Sequence, residues 1–225
     1  MPTRIRPRAE LADIYRQHVR STDSCLDLGC GDGGTSGFIL SELGSSYLGV
    51  DISTNAVALA RQRGLNAQTI QDASRLPFSD EAFGVVVCVE VLEHLFDPLG
   101  ALVEAARVLQ GHGRLIATVP NAMHFRDRLD MLIGAWQPGG YLQGRKEPWR
   151  SPHIRFFSAS SLKRMLHAAG FTVVIAGGFP DPIGARIPGI RSEAAGAVSR
   201  RACRLLPGVF SSQLWAVAQK DGPSA

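Results

Sequence analysis

A glycine-rich stretch behind a short apolar run is the first feature of this sequence that could do chemistry. Gly29, Gly31 and Gly34 have the spacing G-x-G-x-x-G, which is typical of loops whose backbone closely approaches a nucleotide ligand. The apolar run at 24–28 predicts a strand that ends at this loop. The spacing alone fits a nicotinamide cofactor as well as it fits S-adenosylmethionine (SAM).

Three aspartates distinguish between these two ligands. Asp27 precedes the first glycine by two residues, where a carboxylate would repel a pyrophosphate but suits the ammonium and sulfonium groups of SAM. Asp51 ends the second predicted strand, where its carboxylate can accept hydrogen bonds from both ribose hydroxyls. Asp72 and the backbone amide of Ala73 follow the third, where they can contact adenine. Each aspartate alone could be a helix cap, but all three at successive strand ends favour SAM.

Strand-like apolar runs alternate with helix-like periodicity along most of the chain, which is typical of a doubly wound α/β sheet. The run at 84–89 is continuously apolar and β-branched, as expected of a parallel strand buried on both faces. The length of 225 residues predicts a single domain over residues 1–225. The predicted strands are 24–28, 47–52, 67–71, 84–89, 113–119, 171–176 and 213–219, and the predicted helices are 9–20, 35–43, 55–63, 98–109 and 162–169.

Two segments interrupt this alternation. Residues 120–157 form a connection too long and too aromatic for a simple linker, which indicates a functional segment. Its aromatic side chains include Phe125, Trp136, Tyr141, Trp149 and Phe156. Residues 177–212 form a second variable segment, in which 193–206 has the pattern of a basic amphipathic helix. Arg200 and Arg201 on that helix are compatible with a peripheral contact to a membrane surface, which stays an alternative.

The charge and cysteine content narrow the classes of protein. The net charge is +4 and is carried mainly by scattered arginines, so no basic stripe favours a nucleic-acid partner. The four cysteines form no C-x-x-C pair, which argues against a zinc or redox motif and fits a reducing compartment. No apolar run approaches the ~18 residues of a membrane helix, and the N-terminus lacks the apolar stretch of a signal peptide. We therefore expect a soluble, cytoplasmic protein, either a monomer or a homodimer.

The sequence resembles class I SAM-dependent methyltransferases, most closely the methyltransferase type 11/type 23 group. The motifs that carry the resemblance are Leu-Asp-Leu-Gly-Cys-Gly-Asp-Gly at 26–33, Gly-Val-Asp-Ile-Ser at 49–53, Asp72-Ala73 with Leu76-Pro77-Phe78, and Val-Glu-Val-Leu-Glu-His-Leu at 89–95. The resemblance covers about residues 20–176. It implies a three-layer Rossmann-like sandwich with a seven-stranded, mostly parallel sheet and an antiparallel last strand. It also implies that SAM contacts Asp27, Gly29, Cys30, Gly31, Asp51, Ile52, Asp72, Ala73 and Glu90.

The same resemblance implies that residues 120–157 form a substrate cap over the active site. The expected reaction is O-methylation of a small polar or amphipathic metabolite, such as a saccharide, a glycolipid or a natural product. His94 and His153 are the candidate general bases, because imidazole accepts protons near neutral pH. A purely structural role remains the alternative for His94, as a cap at a helix start.

Two further interpretations stay open. Glu90, Glu93 and His94 have E-x-x-E-H spacing, and with His153 they are similar to the metal site of small-RNA 2′-O-methyltransferases and ubiquinone-pathway O-methyltransferases. Our expectation assigns no metal, although Mg²⁺ or Mn²⁺ at these residues would lower a hydroxyl pKa. The stretch after residue 120 also resembles a protein of methionine biosynthesis. A SAM-binding regulatory protein without turnover, and less so a nucleic-acid methyltransferase, are therefore the alternative functions.

Overall fold

The computed structural model describes residues 9–44, 46–136, 152–180 and 200–222. Seven strands form one sheet in the order β3-β2-β1-β4-β5-β7-β6. They are β1 (Ser24–Leu28), β2 (Ser46–Asp51), β3 (Ala67–Thr69), β4 (Phe83–Val89), β5 (Leu109–Pro120), β6 (Phe171–Pro180) and β7 (Ser211–Lys220). Strand β7 runs antiparallel to both β5 and β6, whereas the other neighbouring pairs are parallel.

Helices connect the strands and cover both faces of the sheet. They are α1 (Ala9–His18), α2 (Gly37–Glu42), α3 (Thr54–Gln62), α4 (Pro98–Val108), α5 (Phe125–Leu132), α6 (Ala159–Ala168) and α7 (Pro207–Phe210), with a 3₁₀ helix at Leu92–His94. Residues 200–205 are also helical. The predicted α/β architecture with an antiparallel last strand is therefore confirmed.

The core lies on both faces of the sheet, as the apolar run of β4 predicted. Val86 and Cys88 belong to one buried cluster, and Val85 and Val87 belong to the other. Because successive side chains of a strand point to opposite faces, this division places a packed layer on each side of β4. The strand ends that face the candidate site are thus held by a rigid sheet.

Two helix starts fix the segments that carry the candidate histidines. The Asp97 carboxylate accepts a hydrogen bond from the Gly100 amide at 2.8 Å, and Pro98 occupies the first position of α4. Ser158 and Ser161 form a reciprocal capping box at the start of α6. The first cap fixes where the loop after the 3₁₀ helix joins α4. The second fixes where the loop that carries His153 joins α6.

The two variable segments are described only in part. Residues 137–151 of the predicted cap, including Tyr141 and Trp149, lie outside the described residues. The described part of the cap contains α5 and a parallel bridge between Asn121 and Phe157, which brings its two ends together. The predicted helix at 193–206 is seen as residues 200–205, and its remainder before residue 200 lies outside the described chain. No helix among the described residues is long and apolar enough to cross a membrane.

Candidate functional site

A cleft of about 230 Å³ lies at the carboxyl ends of β1, β2 and β4. The chain moves from β1 outward to β3 in one direction and to β4 and β5 in the other, so the cleft occupies the switch point where open α/β sheets bind ligands. Its walls are formed by Leu28, Gly29, Asp51, Ile52, Ile70, Ala73, Glu90, Val91, His94 and Leu95.

The cleft brings together five of the nine predicted cofactor-binding residues and one of the two predicted catalytic histidines. Those residues are Gly29, Asp51, Ile52, Ala73, Glu90 and His94. Sequence reasoning missed the apolar part of the wall, which consists of Leu28, Ile70, Val91 and Leu95. Their apolar character was visible, but strand and core positions gave no sign that they border a cleft. An apolar wall with a few polar groups is typical of a site for a small organic ligand.

The glycine loop packs directly against the cleft wall. Gly29 has a φ of +77°, and a side-chain carbon at this position would come within 2.3 Å of Val91. The amides of Gly29 and Cys30 both donate to the Val50 carbonyl, at 2.8 and 2.9 Å. Glycine is therefore required at position 29 both for its backbone angle and for the space it leaves.

The Asp51 carboxylate is held in place by two backbone amides. One oxygen accepts a hydrogen bond from the Gly31 amide at 2.9 Å, and the other accepts from the Ser53 amide at 2.8 Å. Each oxygen keeps further capacity to accept, because a carboxylate has about four lone-pair sites. Ile52 lies beside it with 66% of its surface exposed. Asp51 can thus accept from a diol while Ile52 offers an apolar surface to a flat ring.

Asp27 lies beneath the loop, and it does not line the cleft as the sequence argument expected. Its carboxylate is 2% exposed and accepts a hydrogen bond from the Tyr47 hydroxyl at 3.0 Å. The pKa of Asp27 is raised to about 7, mainly by burial; the Tyr47 hydrogen bond opposes this increase, and nearby Asp51 adds to it. Tyr47, which donates this hydrogen bond from β2, lies outside the sequence motifs, so the contact could not be read from them.

The remaining predicted cofactor residues also lie outside the cleft wall. Cys30 is buried behind the loop, and burial raises its thiol pKa to about 12. The Asp72 carboxylate is exposed and accepts hydrogen bonds from both the amide and the hydroxyl of Ser74, at 2.8 Å each, which lowers its pKa. Asp72 therefore shapes the turn after β3, and that turn places Ala73 at the cleft.

Glu90 stands at the end of β4 in an unusual backbone conformation, with a φ of +57°. One carboxylate oxygen accepts from the Thr118 hydroxyl at 3.0 Å, and the other accepts from the Gln213 side-chain amide at 2.7 Å. Thr118 lies on β5 and Gln213 on β7, so three strands meet at this carboxylate. A non-glycine residue in this region of φ is held there by its surroundings, and such positions cluster at functional sites.

The two predicted catalytic histidines lie against each other, and of the two only His94 lines the cleft. Their ring centroids are 4.8 Å apart, and His94 Nδ1 lies 3.1 Å from the Pro152 carbonyl oxygen. The amides of Ile154 and Arg155 both donate to the Glu93 carbonyl, so the segment carrying His153 is fixed to the 3₁₀ helix. His94 ends that 3₁₀ helix, whereas Asp97 caps α4. The interpretation of His94 as a helix cap is therefore wrong.

Glu93 completes this cluster. Its carboxylate is 1% exposed, and both of its oxygens lack a hydrogen-bond partner. Burial, together with the neighbouring Glu90, raises the pKa of Glu93 to about 8. Glu93, His94 and His153 each offer one ligand atom, and these atoms lie within 4.8 Å of one another. Glu90, the fourth residue of the sequence-based metal hypothesis, is not part of this group.

Comparison with known proteins identifies the class of this fold and site. The chain matches the methyltransferase domain family over residues 4–175. It is 30% identical to a Mycobacterium tuberculosis protein named as a probable SAM-dependent methyltransferase, over 80% of this chain and 56% of that protein. It is also 30% identical to the ubiquinone biosynthesis O-methyltransferase of Idiomarina loihiensis, over 64% of this chain and 59% of that protein. The chain thus spans less than two thirds of each relative.

The fold agrees with solved structures of the same class. A SAM-dependent methyltransferase from Archaeoglobus fulgidus superposes with a TM-score of 0.64 at 19% identity, covering 94% of this chain and 93% of that chain. At this identity the likeness concerns the fold alone. It agrees with the seven-stranded sheet and its antiparallel β7.

Proposed function

The chain belongs to the SAM-dependent methyltransferase family, and on that premise we propose that it methylates a hydroxyl oxygen of a small polar or amphipathic metabolite. The observation that carries the proposal is the pair of imidazoles, His94 and His153, beside the cleft at the strand ends. A proton acceptor is needed only when the acceptor atom has a proton to lose, as a hydroxyl does. The saccharide, glycolipid and natural-product classes all offer such hydroxyls.

The cleft supports a specific orientation of SAM. Asp51 would accept hydrogen bonds from the ribose hydroxyls, with Ile52 and Ala73 beside the adenine. Glu90 lies at the end of β4, on the other side of β1 from Asp51, where its carboxylate would receive the α-ammonium group. The sulfonium then lies between these two carboxylates, near His94. This orientation directs the methyl group toward the histidine pair.

The transfer step needs little from the protein besides alignment and a proton acceptor. The acceptor oxygen forms a bond to the methyl carbon while the carbon–sulfur bond breaks, and S-adenosylhomocysteine leaves with the electron pair. The hydroxyl proton passes to an imidazole nitrogen. Burial and the neighbouring His94 lower the pKa of His153, so its neutral, proton-accepting form predominates at pH 7. The Pro152 carbonyl can only accept, so neutral His94 carries its proton on Nδ1 and its lone pair on Nε2.

Turnover of radiolabelled SAM with a panel of hydroxylated acceptors tests this proposal. We expect His153→Ala and His94→Ala to reduce kcat by about 10²–10⁴-fold with an active acceptor, the usual contribution of a general base. His167→Ala, in which an exposed histidine of α6 is removed, is the matched control and should keep wild-type turnover. Wild-type turnover in both test variants would exclude the base role. Tight SAM binding without any methylated product would favour the regulatory alternative instead.

The buried Glu93 carboxylate has no hydrogen-bond donor among the described residues, and its Oε1 lies 3.7 Å from His94 Nε2. It supports a second candidate, a divalent metal at the histidine pair. Glu93, His94 and His153 fit the chemistry of such an ion, since a buried carboxylate without a hydrogen-bond donor is costly unless another charge compensates it. A bound ion would supply Lewis acidity that lowers the pKa of an acceptor hydroxyl. With Glu90 outside the group, two imidazoles and one carboxylate remain. That set suits Mn²⁺, Fe²⁺ or Zn²⁺ better than Mg²⁺, which prefers oxygen ligands.

Chelation separates the two candidates. If the ion takes part, exhaustive EDTA treatment abolishes turnover, and Mn²⁺ or Zn²⁺ restores it better than Mg²⁺ does. Elemental analysis of the purified protein should then show about one ion per chain, and Glu93→Gln should lose it. Full activity after EDTA treatment, with no metal detected, would leave His94 and His153 as the bases.

A further inference from the structure

We infer that Thr118 and Gln213 are positioning residues that aim the Glu90 carboxylate at the amino group of SAM. The inference rests on the proposed orientation of SAM in the cleft, and it extends the binding site to two strands that no motif includes. Thr118 lies 28 residues beyond Glu90 in the sequence, and Gln213 lies 123 residues beyond it.

The backbone of Glu90 shows that its position is imposed by its surroundings. A φ of +57° is an uncommon and unfavourable backbone conformation for a non-glycine residue. The Glu90 amide donates to the Thr118 carbonyl at 3.1 Å, and the Thr118 hydroxyl donates back to the Glu90 carboxylate at 3.0 Å. Thr118 therefore binds both ends of the residue and holds it in this conformation. Thr118 itself is buried, with 1% of its surface exposed, so its hydroxyl has a fixed position.

Gln213 fixes the second oxygen of the carboxylate. Its side-chain amide donates to Glu90 Oε2 at 2.7 Å, which is short for a hydrogen bond from a nitrogen. Gln213 pairs with Pro120 at the end of β7 that lies nearest the cleft. Strand β7 is held by backbone pairing with β5 and β6 along its length, so this amide is not needed to keep the strand in the sheet.

The type of the two partners is as informative as their position. A hydroxyl and an amide are neutral, so they orient the carboxylate without cancelling its charge. An arginine or lysine in the same place would form an ion pair and leave no net charge for a ligand. Each Glu90 oxygen accepts one of these two bonds. These two partners thus orient the carboxylate in the cleft wall without neutralising it, as a site for an ammonium group requires.

Binding of two ligands to the Gln213→Leu variant tests this inference. SAM carries the α-amino group, whereas 5′-methylthioadenosine lacks it and keeps the adenosine. We expect Gln213→Leu to raise the Kd of SAM by about tenfold, the loss that misorienting one charged hydrogen bond produces, and to leave the Kd of 5′-methylthioadenosine within about twofold. Gln219→Leu, at the other end of β7, is the matched control and should change neither value.

Further variants keep the test decisive if one of them folds poorly. Thr118→Val removes the hydroxyl with little change of shape and should weaken SAM selectively, whereas Thr118→Ser should restore the affinity. Gln213→Asn is the substitute if Gln213→Leu lowers the melting temperature, because it is polar but too short to reach Glu90. Equal weakening of both ligands, or an unchanged Kd of SAM in a folded variant, would overturn the inference. The binding measurements need no methyl acceptor, so they do not depend on the proposed acceptor class. Failure of the wild-type protein to bind SAM would instead refute the proposed SAM site.

Discussion

The Asp27 side chain allows a quantitative test of how the glycine loop is built. Its carboxyl group is 2% exposed, and burial raises its pKa from 3.8 to about 7. Because the folded protein binds this proton more tightly than the unfolded chain does, protonation of Asp27 stabilises the fold. That stabilisation is fully present below a pH of about 4 and is lost as the pH rises through about 7.

The expected magnitude follows from the size of the shift. The difference between 3.8 and about 7 is roughly 3 pKa units, and each unit corresponds to about 1.36 kcal/mol. Asp27 thus lowers the free energy of unfolding at high pH by up to about 4 kcal/mol. Asp27→Asn keeps the shape of the side chain and an oxygen that can accept from Tyr47, but it cannot titrate. Between pH 5 and pH 8 we expect the variant to gain about 2–3 kcal/mol relative to the wild type.

Urea unfolding followed by circular dichroism at several pH values between 5 and 8 measures this difference. Subtracting the two proteins at each pH removes the contributions of other buried carboxylates, among them Glu93 and Asp127, whose pKa values are also raised by burial. Asp13→Asn, at an exposed position of α1, controls for the general effect of the substitution. A difference between wild type and Asp27→Asn that stays the same from pH 5 to pH 8 would refute the burial of this carboxyl group.

The remaining predictions concern the loop and the proposed base. Gly29→Ala should weaken SAM binding by more than about tenfold in a titration, because its new carbon would meet Val91 at 2.3 Å and its φ is +77°. Gly31→Ala has open space around it and a φ of +55°, so it should cost only about 1 kcal/mol of stability in urea unfolding; equal loss of SAM binding in both variants would contradict the steric explanation. For His153, whose pKa is lowered by burial, kcat should fall at acid pH with a midpoint below 6.5, and His153→Ala should remove that limb. A midpoint above 6.5 would contradict the assignment.

The sheet and the loop were predictable because their signals are local. The apolar runs of the strands and the periodicity of the helices predict the element order, and the continuous apolar run of β4 predicts its burial on both faces. Asp51 lines the cleft because the carboxyl ends of parallel strands border the switch-point crevice of an α/β sheet.

What the sequence could not predict depends on contacts between distant segments. The motif does not reveal whether the Asp27 side chain faces the ligand or the core. In the folded chain it accepts a hydrogen bond from Tyr47 on the neighbouring strand. The bond from Gln213 to Glu90 joins residues 123 positions apart, and no local pattern marks such a pair. The E-x-x-E-H spacing suggested that Glu90 joins Glu93 and His94, but Glu90 has an unusual φ and hydrogen-bonds to Thr118 and Gln213 instead.

Titration of SAM into the protein tests most directly the central claim that the cleft at the ends of β1, β2 and β4 binds the methyl donor. We predict saturable one-to-one binding of SAM, weakened at least about tenfold by Asp51→Asn, which loses the charge and one of the two oxygens that would accept from the ribose. Asp13→Asn should bind SAM as the wild type does. No binding of SAM by the wild-type chain, or equal binding by the wild type and a folded Asp51→Asn, would contradict the account.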